Sequence, residues 1–207
     1  MLSKSERTRV HIIKEAAALF NQKGYSGTSL QDIMEATGLS KGALYGHFKG
    51  GKEEIALAAF GFAVEVVYEQ VGERTRARDH AVDKLCAVID FYREHIFSPP
   101  VEGGCPIQNT ATEADDNHPA LRARVLEALQ EWKSRIIHTV RKGVERGEIR
   151  PGIDPDEFAT FFIGSLEGGI LLARIESDTA PFDVMTRPLM ERLEKIRETK
   201  NLNGNID

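Results

Sequence analysis

Cysteine is scarce in this chain: Cys86 and Cys105 are the two in 207 residues, too few for a disulfide framework, and no cysteine pair stands at zinc-ligand spacing. Long apolar runs are missing too. No stretch of eighteen apolar residues occurs, and the amphipathic N-terminus MLSKSERTRVHIIKEAAALF has no cleavage site. Neither a membrane span nor export is therefore expected, and the chain is read as cytoplasmic. There is no glycine-rich phosphate loop, no histidine pair at zinc-protease spacing and no nucleophile-elbow serine. These gaps leave no catalytic residue, metal site or cofactor to assign, and they point away from an enzyme.

Charge is plentiful but uneven. With 41% hydrophobic and 29% charged residues the chain suits one or two globular domains, and a net charge of -5 argues against a protein coated in nucleic acid. Residues 1–52, however, hold eight Lys+Arg against four Asp+Glu, a balance of +4, whereas the remainder holds nineteen against twenty-eight, a balance of -9. A basic head on an acidic body steers the head toward DNA and disfavours other docking faces.

The head carries the most specific pattern, TSLQDIMEATGLSKGALYGHFKGGK from Thr28 to Lys52. Leu30, Ile33, Met34 and Thr37 recur at the spacing of one buried helical face, and Thr28 with Gln31 predicts a capping box at its start. Gly38 stops that helix and Ser40 caps the next, which begins at Lys41 and turns Leu44 and Phe48 inward. The remaining face is short, small and polar, as a major-groove helix requires. An earlier helix over about Ser5 to Gln22, with Val10, Ile13, Ala17 and Phe20 inward and Gly24 at its end, completes a three-helix head.

From about Arg7 to Glu54 the chain resembles the DNA-binding domain of the TetR family of bacterial transcriptional regulators. The likeness runs through Phe20, Gly24, Tyr25, Thr28, Gly38, Ser40, Lys41, Gly42, Leu44, Tyr45, His47, Phe48 and Lys52. It implies phosphate contacts from Thr28, Tyr45, His47 and Lys52, and base reading by Ser40, Lys41, Gly42 and Ala43. One departure is visible: Gly50 and Gly51 stand where the family has a single residue, so the spacing to Lys52 is one longer.

The fold expected is all-α, with a helix-turn-helix domain over residues 1–51 and a helical effector-binding and dimerisation domain over 52–207. A fourth helix over about Lys52 to Gly72, striped by Ile55, Ala58, Ala59, Phe62, Val66 and Val67, leaves the head and enters the body, and Glu73 to Asp79 reads as a loop. Leu85, Ile89, Tyr92 and Ile96 mark a helix stopped at Ser98-Pro99-Pro100, and a short one runs from Cys105-Pro106 toward Glu113. Leu121, Val125, Leu129, Trp132, Ile136 and Val140 line a long helix that ends near Gly147. Asp154, Pro155 and Glu157 open another, carrying Phe158, Phe161, Phe162, Leu166, Ile170 and Leu172; Met185, Leu189, Leu193 and Ile196 mark the last, and a frayed tail is expected from Asn201.

Major-groove readers of this size commonly work as symmetric pairs, and the TetR resemblance implies that the last two helices of each subunit form a four-helix contact. Ala159, Phe162, Gly169, Leu172, Met185 and Leu189 are the candidates for that homodimer interface. The body mixes large apolar and polar groups suited to a small-molecule effector cavity, with Phe62, Phe91, His95, Cys105, Gln108, Asn109, Trp132, Phe161 and Glu167 as candidate lining. Cys105 next to a helix N-terminus reads either as a reactive thiol or as a small buried hydrophobe. The function expected is a dimeric repressor that binds a pseudo-palindromic site on double-stranded DNA and is released by a small molecule; the alternative is a ligand-independent architectural DNA binder.

Overall fold

The computed structural model describes residues 2–198, apart from the side chains of 115–117. The tail expected from Asn201 lies outside the described residues. Among them the backbone is almost entirely helical: α1 (Lys4–Gly27), α2 (Leu30–Thr37), α3 (Lys41–His47), α4 (Gly51–Arg76), α5 (Ala81–Glu94), α6 (Pro106–Asn117), α7 (Pro119–Glu145), α8 (Pro155–Glu176) and α9 (Ala180–Ile196). An isolated antiparallel bridge joins Ile149 to Arg197.

Packing divides the chain into two compact units, one of Met1–Glu69 with Ser98–Leu129 and one of Gln70–Phe97 with Gln130–Asp207. The first unit therefore unites the head with the start of α4, all of α6 and the start of α7. Its core gathers Ile12, Ala16, Ala17, Ile33, Leu44, Phe48, Ile55, Ala59, Ala63 and Val101. The inward face of α1 is thus rotated from the expected one. Val10 is exposed, Ile13 and Phe20 are half-buried, and Ile12 and Ala16 take the centre. Gly24 does break α1, at φ 75°, ψ 172°, but a further helical turn over residues 25–27 follows the kink.

In the second unit α8 packs chiefly on α9, with α5 against both. Phe158, Phe162, Leu166, Phe182, Leu189 and Leu193 are buried there. The helices approach closely at Gly169, where a Cβ would stand 2.9 Å from Phe182 Cδ2. Arg93 forks onto Asp183 at 2.6 and 2.8 Å, tying α5 to α9. Asp154 caps α8 through the amides of Asp156 and Glu157, as its sequence implies. Three boundaries differ from expectation: α4 runs on to Arg76, α5 ends at Glu94, and α9 starts at Ala180, so that Phe182 is a helical core residue. Helices α4 and α8 are apolar and long enough to cross a membrane by length and composition, although half of the apolar stretch of α8 is buried within the protein.

Candidate nucleic-acid interface and the elements behind it

The α2–α3 pair is held by local hydrogen bonds. Gly38, in the left-handed region at φ 69°, returns its amide to the Met34 carbonyl, and the Ser40 hydroxyl accepts from the Ala43 amide to start α3. Leu44 and Phe48 are buried, which turns Ser40, Lys41, Gly42 and Tyr45 to solvent; Ala43 and His47 are half-buried. At Gly42 and at Gly46 a Cβ would meet nothing within 4 Å, so the outer face of α3 is an open, low-relief surface. Tyr45 is 40% exposed and its ring lies along Gly51, whose Cβ would be 3.4 Å from Tyr45 Cε1. The extra glycine is absorbed there: Gly51 adopts φ 65° and its amide reaches the Phe48 carbonyl, so Lys52 stays in the first turn of α4. Its ammonium sits 4.2 Å above the Tyr25 ring.

Thr28 departs from its expected place. It is 0% exposed, and its hydroxyl donates to the carbonyls of Gly24 and Leu19, so it faces the core rather than a phosphate. The cap of α2 is Ser29, one residue later, in a reciprocal box with Asp32. Lys23, the Ser29 hydroxyl and the Ser29 amide together hold the Asp32 carboxyl well below the usual carboxylate range. The pattern Ser29-x-x-Asp32 was available in the sequence beside Thr28-x-x-Gln31; the buried choice was settled by the kink at Gly24.

Arg9 is a further residue behind this face, and no motif marked it. Its guanidinium donates to the His47 carbonyl at the end of α3, meets Glu54 at 3.4 Å, and lies 4.0 Å over the Phe48 ring. It thereby ties α1, α3 and α4 together at the C-terminal end of the outward helix.

The expected effector residues fall in both units. Phe62, Cys105, Gln108 and Asn109 belong to the first, and Phe91, His95, Trp132, Phe161 and Glu167 to the second. Phe62 packs against the head core and also lines an open cavity of about 370 Å³ with Val10, Leu57, Gly61 and Arg124, whereas the Asn109 side-chain amide donates to Asn21 and to the Gly103 carbonyl and so clamps α6 to α1. Cys105 is buried at the N-cap of α6, next to Pro106. A cavity of about 30 Å³ lies between α1, α4 and α6, lined by Ala17, Asn21, Ala59, Asn109 and Glu113 among others; that is room for water, not for an effector. In the second unit Phe91 stacks on His95 at 4.4 Å, and Tyr92 bridges Phe91 to Trp132 at 5.4 and 5.5 Å. Phe161 is not with them. It is 41% exposed on the outer side of α8. Burial pushes the Cys86 thiol up to about 11, consistent with a packed cysteine.

The dimer candidates divide by burial. Ala159, Phe162, Gly169 and Leu189 are buried within the subunit, Gly169 against Phe182 and Met185 of α9; Met185 is half-buried and Leu172 alone is exposed. The outward stripe is Phe161, Leu171, Leu172 and Ile175 on α8 with Val184 on α9.

Comparison with known proteins follows these two segments. Residues 12–59 match the family described as "Bacterial regulatory proteins, tetR family", and residues 81–189 match "Tetracyclin repressor-like, C-terminal domain". A solved TetR transcriptional regulator from Chloroflexus aurantiacus J-10-FL superposes with a TM-score of 0.91 at 42% identity, covering 96% of this chain and 100% of that one. An uncharacterized HTH-type transcriptional regulator of Mycobacterium tuberculosis is 30% identical over 89% of this chain and 93% of its own. The HTH-type transcriptional repressor DhaR of Mycobacterium sp. (strain GP1) is 27% identical over 95% and 96%.

Proposed function

Because the chain belongs to the TetR family of DNA-binding transcriptional regulators, we propose that it is a repressor that binds a pseudo-palindromic operator as a homodimer and is released by a small molecule held in its body. The observation that carries the reading is the outward face of α3, where Ser40, Lys41 and Gly42 stand exposed beside Tyr45. Lys41 and Ser40 read base edges, Gly42 and Ala43 let the helix approach, and Tyr45, His47 and Lys52 bind phosphates. Repression is favoured by the likeness to DhaR, which is named a repressor. DNA reading is assigned to residues 1–51 and effector binding and dimerisation to 52–207, acting in the cytoplasm.

A second copy covers the outward stripe of Phe161, Leu171, Leu172, Ile175 and Val184, since five exposed large apolar groups on two adjacent helices exceed what scattered surface residues explain. The aromatic group of Phe91, His95 and Trp132 is the best candidate for one wall of the effector site. Gel-shift titration of the DNA upstream of the gene, against excess unrelated duplex, tests the reading. Saturable binding that survives the competitor, with footprints on two half-sites about one helical turn or more apart, is expected. Binding lost equally to any duplex would point instead to the architectural reading.

A further inference from the structure

Behind the phosphate-facing elements lies a contact that the DNA-reading motif does not contain. After the kink at Gly24, the amides of Tyr25 and Ser26 open a further helical turn. The carboxylate of Glu113, on α6, takes both: Oε2 accepts from the Tyr25 amide and Oε1 from the Ser26 amide at 2.6 Å. Gly24 leaves room for it, since a Cβ there would stand 2.5 Å from Glu113 Oε2. Burial pushes the Glu113 carboxyl up, but the Ser26 hydroxyl and the Ser26 and Tyr25 amides outweigh it and hold it below its ordinary value, so it is ionised at neutral pH.

The same turn organises the DNA side. The Tyr25 ring meets the edge of His118, the C-cap of α6, at 4.4 Å and carries the Lys52 ammonium at 4.2 Å on its face. The Gly24 carbonyl anchors the Thr28 hydroxyl, one residue before the Ser29 cap of α2. A second tie fixes the register of α1 against the loop before α6: the Asn21 side chain donates to the Glu102 and Gly104 carbonyls at 2.8 and 3.0 Å, and Asn109 donates to Asn21 Oδ1 at 3.0 Å. Glu113 lies in the segment that matches the C-terminal family description, whereas Tyr25 lies in the one that matches the N-terminal description.

We propose that Glu113 is a positioning residue for DNA binding: its carboxylate caps the Tyr25–Gly27 turn and so sets Lys52 and the start of α2 against the phosphates, making α6 a lever on the head. A displacement of α6 by about one hydrogen-bond length would break both bonds at once, since the acceptor geometry is bidentate. The inference rests on the DNA-binding reading above and names how that surface is controlled.

The test is Glu113→Gln, which keeps the side-chain shape but can accept only one of the two amides. Operator affinity of the full-length protein is expected to fall about tenfold, the loss of a charge-assisted hydrogen bond. The slope of log K against log salt is expected to drop by about one, as the Lys52 contact goes. Amide exchange in a peptide spanning Tyr25 and Ser26, read by mass spectrometry, should accelerate. A purely structural defect would lower the active fraction without moving the salt slope. Accelerated exchange with affinity and slope unchanged overturns the proposal, and so does exchange that stays at the wild-type rate. If Glu113→Gln does not fold, Glu113→Asp, which withdraws the carboxylate by one methylene and keeps its charge, carries the same test. Wild-type protein that fails to select its operator would count against the DNA-binding reading itself, a result separate from either of these.

Discussion

Adding one methyl group at Gly42 should make the protein more stable and a worse DNA binder. Gly42 is the second residue of α3, has no left-handed backbone, and a Cβ there meets nothing within 4 Å. Alanine therefore costs no packing and restricts the unfolded chain. In a helix interior the change is worth about 0.5–1 kcal/mol, and in a first turn nearer the lower figure. For a chain of 207 residues that raises Tm by about 1–2 °C. Bound to DNA, the same methyl lies where the helix must approach the base edges, and overpacking a close interface costs about 1–3 kcal/mol, or roughly five- to more than a hundredfold in Kd. No cation is removed, so the salt slope should stay at the wild-type value. Gly46→Ala is the companion: it meets equally open space one residue before the end of the clamped helix and should stabilise similarly with a smaller loss of affinity. Fluorescence-polarisation titration of a labelled operator at several salt concentrations, with thermal unfolding of the same samples, reads both quantities. Gly42→Ala protein with undiminished affinity would refute the placement of this face in the groove, and a lowered Tm would refute the open space around it.

Tyr45→Ala should weaken specific and random duplexes alike, while Lys41→Ala should also change the ranking of operator variants; competition gel shifts distinguish the two, and equal rankings for Lys41→Ala would remove it from base reading. Phe161→Glu or Ile175→Glu, each placing a charge in the outward α8 stripe, should convert a dimer to monomers at micromolar concentration by sedimentation while leaving helix content intact. Glu113 sits below its ordinary value of 4.5 in the folded protein, so its contribution to stability is complete above that pH and is lost as pH falls through the folded value. The stability difference between wild type and Glu113→Gln should accordingly shrink below about pH 4.5 in urea titrations. A difference that stays constant down to pH 3 would contradict the ion-supported cap.

The helices themselves were legible because long apolar periodicities and cap residues are local signals: Asp154-Pro155 opens α8, Gly38 ends α2, and Ser40 starts α3 as their sequence requires. Choice of face was harder. On α8, residues Phe161 and Phe162 are neighbours in sequence with equal hydrophobicity, yet Phe162 is fully buried and Phe161 is exposed. A pattern of apolar residues covering more than half of a helix cannot say which part a neighbour covers. Thr28 failed for a different reason: two capping boxes were possible one residue apart, and the one used was selected by the Gly24 kink, which brings the Thr28 hydroxyl back onto the Gly24 and Leu19 carbonyls. Glu113 and Arg9 carried no local signal at all. Their partners lie 88 and 38 residues away in sequence, so their roles exist only once the chain has folded.

The joining of residues 98–129 to the head within one packed unit bears on how such regulators can be recombined. A graft cut at residue 51 would transplant the outward helix but leave behind Val101 from the head core, the Asn109 amide against Asn21, and the carboxylate over Tyr25 and Ser26. The donor head would arrive with two bare amides and a hole, and its new host would supply whatever happened to stand at those positions. Exchange of DNA specificity between relatives is therefore better made by resurfacing Ser40 to Ala43 in place than by swapping heads. What looks portable along the sequence is, in space, a module in two pieces.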